Sequence, residues 1–230
     1  KISQILEVSL DDLLSGKEME KVVERNPVIE KKSVNNIMIA LYAFVVISFF
    51  ITIVDIIIRF PLQSEMIDYN DIQAIVINVL ALLIQIVFFA YGFVNAIQGM
   101  LSPKRMGAVI VAFFAATCIT GTGNMVINSN VQIVLWWIVL IIPNIVGAVV
   151  AFAYFVSGKK SKKYSIMIYL VTIWGMFRII YSNYNLIVHA NQYLSMNSTV
   201  RLVLEIAIHC LVIYQTYVLW IKRQNAIDIS

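Results

Sequence analysis

Long apolar runs fill most of this chain, and they constrain its fold more than any other feature. Six such runs lie between residues 34 and 223. A helix of about 20 apolar residues crosses the ~30 Å hydrocarbon core of a bilayer, because each residue adds about 1.5 Å. The chain is 60% apolar and only 13% charged, whereas about a quarter of residues are charged in soluble domains. These properties predict an integral membrane protein.

Short polar connections separate the apolar runs and set the predicted boundaries of the helices. The predicted transmembrane helices cover residues 34–59, 72–98, 105–126, 131–156, 164–190 and 199–222. Together they form a predicted transmembrane domain at 34–223, followed by a short tail at 224–230. The lipid bilayer is therefore the first expected partner.

Basic residues are distributed unevenly among the connections, and this predicts the orientation. Only Arg59 and Arg201 lie near the predicted helix ends on one side. The N-terminus, the second and fourth connections and the C-terminus carry the others: Lys31, Lys32, Lys104, Arg105, Lys159, Lys160, Lys162, Lys163, Lys222 and Arg223. Cytoplasmic connections are enriched in Lys and Arg. We therefore expect a multi-pass protein of the cell (inner, cytoplasmic) membrane with both termini in the cytoplasm.

A short amphipathic segment precedes the membrane part. Residues 1–15 read KISQILEVSLDDLLS, and Ser9 followed by Asp12 three residues later is typical of a helix N-terminus with a capping box. Apolar residues before and after Ser9 give two short helical faces. Such a helix pair needs a partner surface, and the chain begins with Lys1 instead of methionine. We therefore expect this segment to be the end of a longer domain, cut at its N-terminus.

This segment resembles the last two helices of a phage-repressor-type (Xre family) helix-turn-helix DNA-binding domain. The matching positions are Ile5, Leu6, Val8, Ser9, Leu10, Asp11, Leu13, Leu14 and Gly16. The resemblance implies a bacterial regulator with DNA as a partner, usually bound as a dimer. It also implies that the recognition helix precedes Lys1, so no residue of this chain is assigned to base contact. A generic amphipathic helix pair is the alternative interpretation. With this stub, the predicted fold class is all-α: a polytopic bundle of six transmembrane helices preceded by the last two short helices of a helix-turn-helix domain.

Residues 16–33 form a charged segment between the stub and the membrane. Its acidic and basic residues alternate up to Arg25, which favours a solvated helix, and Asn26-Pro27 would end that helix. We expect a cytoplasmic linker.

Polar residues inside the apolar runs define a candidate intramembrane signal site. A charge at the bilayer centre costs at least about 2.5–3.5 kcal/mol, so each one marks a function or a required pairing. Four runs carry polar residues at helical spacing, and turning them inward would create a polar centre that opens toward the external leaflet. The candidate residues are Asp55, Arg178, Ser182, Asn185, Glu205 and His209. The alternative is that these groups only hold helices together through hydrogen bonds, which we favour for Ser48, Thr52, Asn78 and Gln85.

No pattern for catalysis, a cofactor or a metal is present. The chain lacks H-E-x-x-H and G-x-S-x-G, and His189 and His209 lie at depths too different to ligate one haem. Pro143-Asn144 is expected to kink the fourth helix, with the freed carbonyl bound by neighbouring groups or by the Asn144 side chain. The sequence predicts a membrane-anchored transcriptional regulator, not an enzyme, whose six-helix domain anchors the head or senses an unknown external or lipid-borne ligand. A small transporter or permease-like protein with an incidental N-terminal stub is the alternative.

Overall fold

The described part of the chain is helical throughout and contains no strand. The computed structural model describes residues 32–59, 69–123, 130–184, 188 and 196–228. Within these ranges, six helices are long and apolar enough to cross a membrane. This confirms the all-helical, multi-pass prediction. The predicted helix-turn-helix stub at 1–15, the linker up to residue 31 and Asn185 lie outside the described residues.

The helices match the predicted spans closely, except that the fifth ends at Ser182, eight residues before its predicted end, and the sixth continues to Asp228, six residues beyond its predicted end. Five of them are continuous: α1 (Lys32–Arg59), α2 (Tyr69–Ile97), α3 (Pro103–Gly123), α5 (Lys162–Ser182) and α6 (Met196–Asp228). The helix α4 is composite, with Asn130–Trp136, a π-helical turn at Trp137–Ile141, Ile142–Ala151 and a second π-helical turn at Phe152–Val156. Helix α6 continues past residue 222, so the first part of the predicted tail is helical.

The helices form two rows of three. Each helix packs against its neighbours in sequence, α6 also packs against α1, and α3 meets α6 across the middle. One row is therefore α2–α3–α4 and the other is α1–α6–α5. About half of the spanning segment is buried in α3 (50%) and α6 (56%), against a third or less in the other four spans. This makes α3 and α6 the central pair.

Four glycines allow the helices to approach closely. Each of the four lies against a ring or a branched side chain of a neighbouring helix. A Cβ added at Gly92 would lie within 3 Å of the Tyr42 ring, and one at Gly147 would meet the Phe114 ring at 2.9 Å. Lipid offers no hydrophobic gain when helices pack, so such close contacts supply the attraction. The four pairs are Tyr42–Gly92, Gly107–Phe155, Phe114–Gly147 and Gly175–His209.

The carbonyl that Pro143 leaves free accepts a hydrogen bond from a neighbouring helix, as expected from the sequence. Proline has no N–H to donate to the carbonyl four residues earlier, at Val139. The indole N–H of Trp174 on α5 donates to this carbonyl at 3.0 Å, and the side chain of Asn144 donates to the Leu140 carbonyl at 2.7 Å. The π-helical turn Trp137–Ile141 lies at the same place. The carbonyl left free in α4 thus forms a hydrogen bond that joins α4 to α5.

Candidate functional site

The contact between Gly175 and His209 sets the register of α5 against α6. A Cβ added at Gly175 would lie 2.3 Å from Nε2 of His209, so the imidazole ring rests directly on the α5 backbone. The two helices are adjacent spans that run in opposite directions. Arg178, one turn beyond Gly175, therefore lies at about the depth of Glu205, one turn before His209.

The His209 ring is enclosed by three helices. Its side chain is 4% exposed, and Nδ1 lies 2.6 Å from the Glu205 carbonyl oxygen. A carbonyl can only accept, so Nδ1 carries a proton, and Nε2 faces the backbone of α5. Phe113 of α3 meets the ring edge to face, with 5.3 Å between ring centroids. His209 therefore connects α3, α5 and α6.

Arg178 and Glu205 bring opposite charges together beside this ring. The two side chains are close enough for their charges to attract, and the Arg178 cation also acts on His209. Both side chains are partly buried. Opposite charges placed together in an apolar span lower the cost of inserting each one.

The exposed side of α5 is aromatic, whereas Arg178 is partly buried. Trp174, Phe177 and Tyr181 are 42%, 61% and 77% exposed. Their rings follow one another along the helix, with centroids 6.2 Å and 6.5 Å apart. Arg178 lies beside this row on the part of the helix turned toward α6.

The structure brings three of the six candidate residues together: Arg178, Glu205 and His209. Ser182 is exposed at the end of α5, and its hydroxyl donates to the Ile179 carbonyl at 3.1 Å. Asp55 lies in α1, but its side chain is outside the described residues, as is the whole of Asn185. Within the described part of the chain, no group of three or more His, Cys, Asp or Glu side chains could hold a metal ion.

Two hydroxyl residues of α1, Ser48 and Thr52, are buried and donate within their own helix. Ser48 and Thr52 are 5% and 7% exposed. Each hydroxyl donates within its own helix, to the Phe44 carbonyl at 2.8 Å and the Ser48 carbonyl at 2.9 Å. Both donated hydrogens therefore stay within α1, because a Ser or Thr hydroxyl can reach the carbonyl four residues earlier in any helix. Interhelical hydrogen bonds through the hydroxyl oxygens stay a prediction.

Sequence reasoning missed two polar contacts made by α6. Gln215 is fully buried, and its amide nitrogen donates to the Tyr42 hydroxyl of α1. Arg223, counted above among the exposed cytoplasmic cations, is only 4% exposed. Its guanidinium donates to the Tyr154 carbonyl at 3.0 Å and lies 4.6 Å from the centroid of the Tyr154 ring.

A sequence signal for the burial of Arg223 was present. Glu205, His209, Thr216 and Arg223 recur on one face of α6 at intervals of four and seven residues, the period of a helix face that packs against others. Buried polar groups consequently recur along α6 from His209 to Arg223.

Comparisons with protein-family models, with characterised proteins and with solved structures find no match to this chain.

Proposed function

We propose that this chain is the membrane part of a membrane-anchored transcriptional regulator whose DNA-binding head precedes it. The observation that carries this proposal is the run ISQILEVSLDDLLSG at residues 2–16, in which cap, acid and leucines occur in the register of an Xre-type domain. The excess of Lys and Arg at one end supports the orientation that the proposal needs, with both termini in the cytoplasm.

In this proposal the cluster of Arg178, Glu205 and His209 receives the signal. An anionic or cationic group that reaches the cluster competes for one member of the charge pair and changes how α5 packs on α6. Helix α6 also contacts α1 through Gln215 and Tyr42, and α1 leads back into the linker. A shift of α6 therefore reaches the helix that holds the heads. The spacing of the two DNA-binding heads decides whether both half-sites of an operator are bound at the same time.

DNA binding is tested with the full-length protein expressed from its own gene. We expect the coding frame upstream of Lys1 to encode a helix-turn-helix with a basic recognition helix. We also expect cross-linked DNA recovered with the tagged protein to be enriched in a few promoter regions. An unrelated domain upstream, or recovered DNA without enrichment, would refute the regulator.

The signal site is tested with Arg178→Ala in the same full-length protein. Removing the cation leaves Glu205 without its attracting charge and should abolish the response of the target promoters, while the protein still inserts. Leu170→Ala is the matched control, because the Leu170 side chain lies on the same helix and is 62% exposed. Promoter output that still changes with the signal in Arg178→Ala would remove this site from the proposal.

A small transporter is the second candidate. It is favoured by the polar side chains that α6 places at successive depths, namely Glu205, His209, Gln215 and Arg223. Solute or ion flux in proteoliposomes containing residues 34–230 would support transport, because this segment lacks the stub and the linker.

A further inference from the structure

The structure gathers exposed lysines from two connections at one end of the bundle. Helix α3 begins and helix α4 ends at this end, and they are in close contact there: a Cβ added at Gly107 would lie 2.5 Å from Cβ of Phe155. Lys104 is one turn before Gly107, and Lys159 follows Phe155 by four residues. The contact therefore places the two connections side by side. We name as the lysine end the side chains of Lys104, Lys159, Lys162 and Lys163, all of which are exposed.

The two arginines at this end are already engaged within the protein. Arg105 donates to the side-chain oxygen of Asn95 at 2.6 Å and to the Met100 carbonyl at 2.5 Å. Arg223 is buried on Tyr154. Both stabilise helix ends, since Met100 follows the end of α2 and Tyr154 lies in the last turn of α4. The lysines differ because they are directed outward.

The connection that carries Lys159 has a defined conformation. Gly158 has φ of 68°, a left-handed conformation that favours glycine, and the Lys159 N–H donates to the Ala153 carbonyl at 3.0 Å. The Lys159 ammonium lies 5.6 Å from the centroid of the Tyr164 ring. Among the side chains that the structure describes, none at this end is a carboxylate. The positive charge is thus held in place and not neutralised by those side chains.

We propose that the lysine end is a binding site for the phosphate group of an anionic phospholipid. Lysine is a point-charge donor suited to phosphate, and this end lies where lipid headgroups meet water. Above it, α4 presents Val149 and Phe152, 63% and 52% exposed, on which an acyl chain can rest. The site goes beyond the proposed regulator and does not depend on it, because it needs neither the DNA-binding head nor the α5–α6 cluster.

The test is a lipid titration of the full chain in neutral detergent, followed by native mass spectrometry. Phosphatidylglycerol should bind in preference to phosphatidylcholine. The variant Lys104→Gln/Lys159→Gln/Lys163→Gln should bind it more weakly, by about five-fold for each lysine removed. The same three positions changed to Arg should retain binding. Arg59→Gln is the matched control. It removes a cation at the last residue of α1, at the end of the bundle opposite the lysine end, and should bind like the unchanged protein.

Four results would overturn the proposal. The first is equal binding of the two lipids, and the second is unchanged phosphatidylglycerol binding by the triple Gln variant with its unfolding temperature also unchanged. The third is binding of soluble glycerol phosphate as tightly as the lipid, which would assign the lysine end to a free phosphate. Loss of binding in Arg59→Gln as well would show general charge attraction and would also count against a defined site.

Discussion

The contact between Gly175 and His209 predicts that the single methyl group of Gly175→Ala destabilises the bundle. The added Cβ would lie 2.3 Å from Nε2 and 2.9 Å from Cδ2 of the ring, about 1 Å short of the ~3.5 Å of an ordinary contact. The ring cannot turn away freely, since Nδ1 is held at the Glu205 carbonyl and Phe113 covers one edge. Helices α5 and α6 must separate instead, and overpacking of this kind costs about 1–3 kcal/mol.

A double-mutant cycle isolates this collision from other effects of the substitution. Alanine has a higher intrinsic helix propensity than glycine by about 1 kcal/mol, so Gly175→Ala should be neutral or stabilising once the ring is gone. We expect His209→Ala to be destabilising alone and to reverse the sign of the Gly175→Ala effect. The propensity gain is the same with and without the ring and cancels in the cycle, so the coupling between the two positions should be about 1–3 kcal/mol, the cost of the collision alone.

The assay is reversible unfolding in mixed micelles of neutral detergent and dodecyl sulfate, followed by helical circular dichroism. Leu170→Ala, on the exposed face of the same helix, controls for side-chain changes that meet no neighbour. If Gly175→Ala unfolds at the same dodecyl sulfate fraction as the unchanged protein, the register of α5 on α6 described above is wrong. A coupling near zero would show that any destabilisation has another cause.

Three further predictions use the same unfolding assay. Tyr42→Phe should cost about 1–3 kcal/mol because the buried Gln215 amide loses its hydroxyl partner, whereas Tyr42→Phe/Gln215→Leu should recover most of that loss; a double variant weaker than the single one would contradict this. Trp174→Phe should cost about 1 kcal/mol by removing the N–H donated to the Val139 carbonyl, and unchanged stability would show that the bond contributes nothing. Gly99→Ala should cost about 1 kcal/mol although nothing lies within 4 Å, because its φ is +66°; Gly99→Asn should cost less, and equal costs would argue against a conformational origin.

The positions of the helices could be predicted from the sequence because crossing a bilayer is a local requirement. A run of about 20 apolar residues must satisfy its own backbone hydrogen bonds, and a helix does so within the segment. The ends of α1 to α4 consequently differ from the predicted ones by only a few residues. Pro143 shows the same principle. Its missing N–H leaves the carbonyl four residues earlier without its usual donor, so a disturbance of α4 could be predicted without knowing how this helix packs.

The candidate site was predictable only in part. Helical spacing placed Glu205 and His209 on one face of α6, and their contact at 2.6 Å lies within that helix. Their proximity to Arg178 depended on how far α5 slides along α6, and no residue spacing encodes that distance. Gly175, which sets the register, was not a candidate at all, because glycine has no side-chain chemistry to notice.

The sequence by itself determined that this chain is an all-helical membrane protein with these spans, since apolar length and backbone hydrogen bonding leave few other solutions. Only the tertiary structure decided that α3 and α6 form the central pair, that α6 meets α1 at Gln215 and Tyr42, and that Arg223 is buried. In lipid, every apolar face is equally well solvated, so hydrophobicity cannot select which faces meet. That selection is made by close fit, as where the ring of His209 occupies the space that Gly175 leaves open.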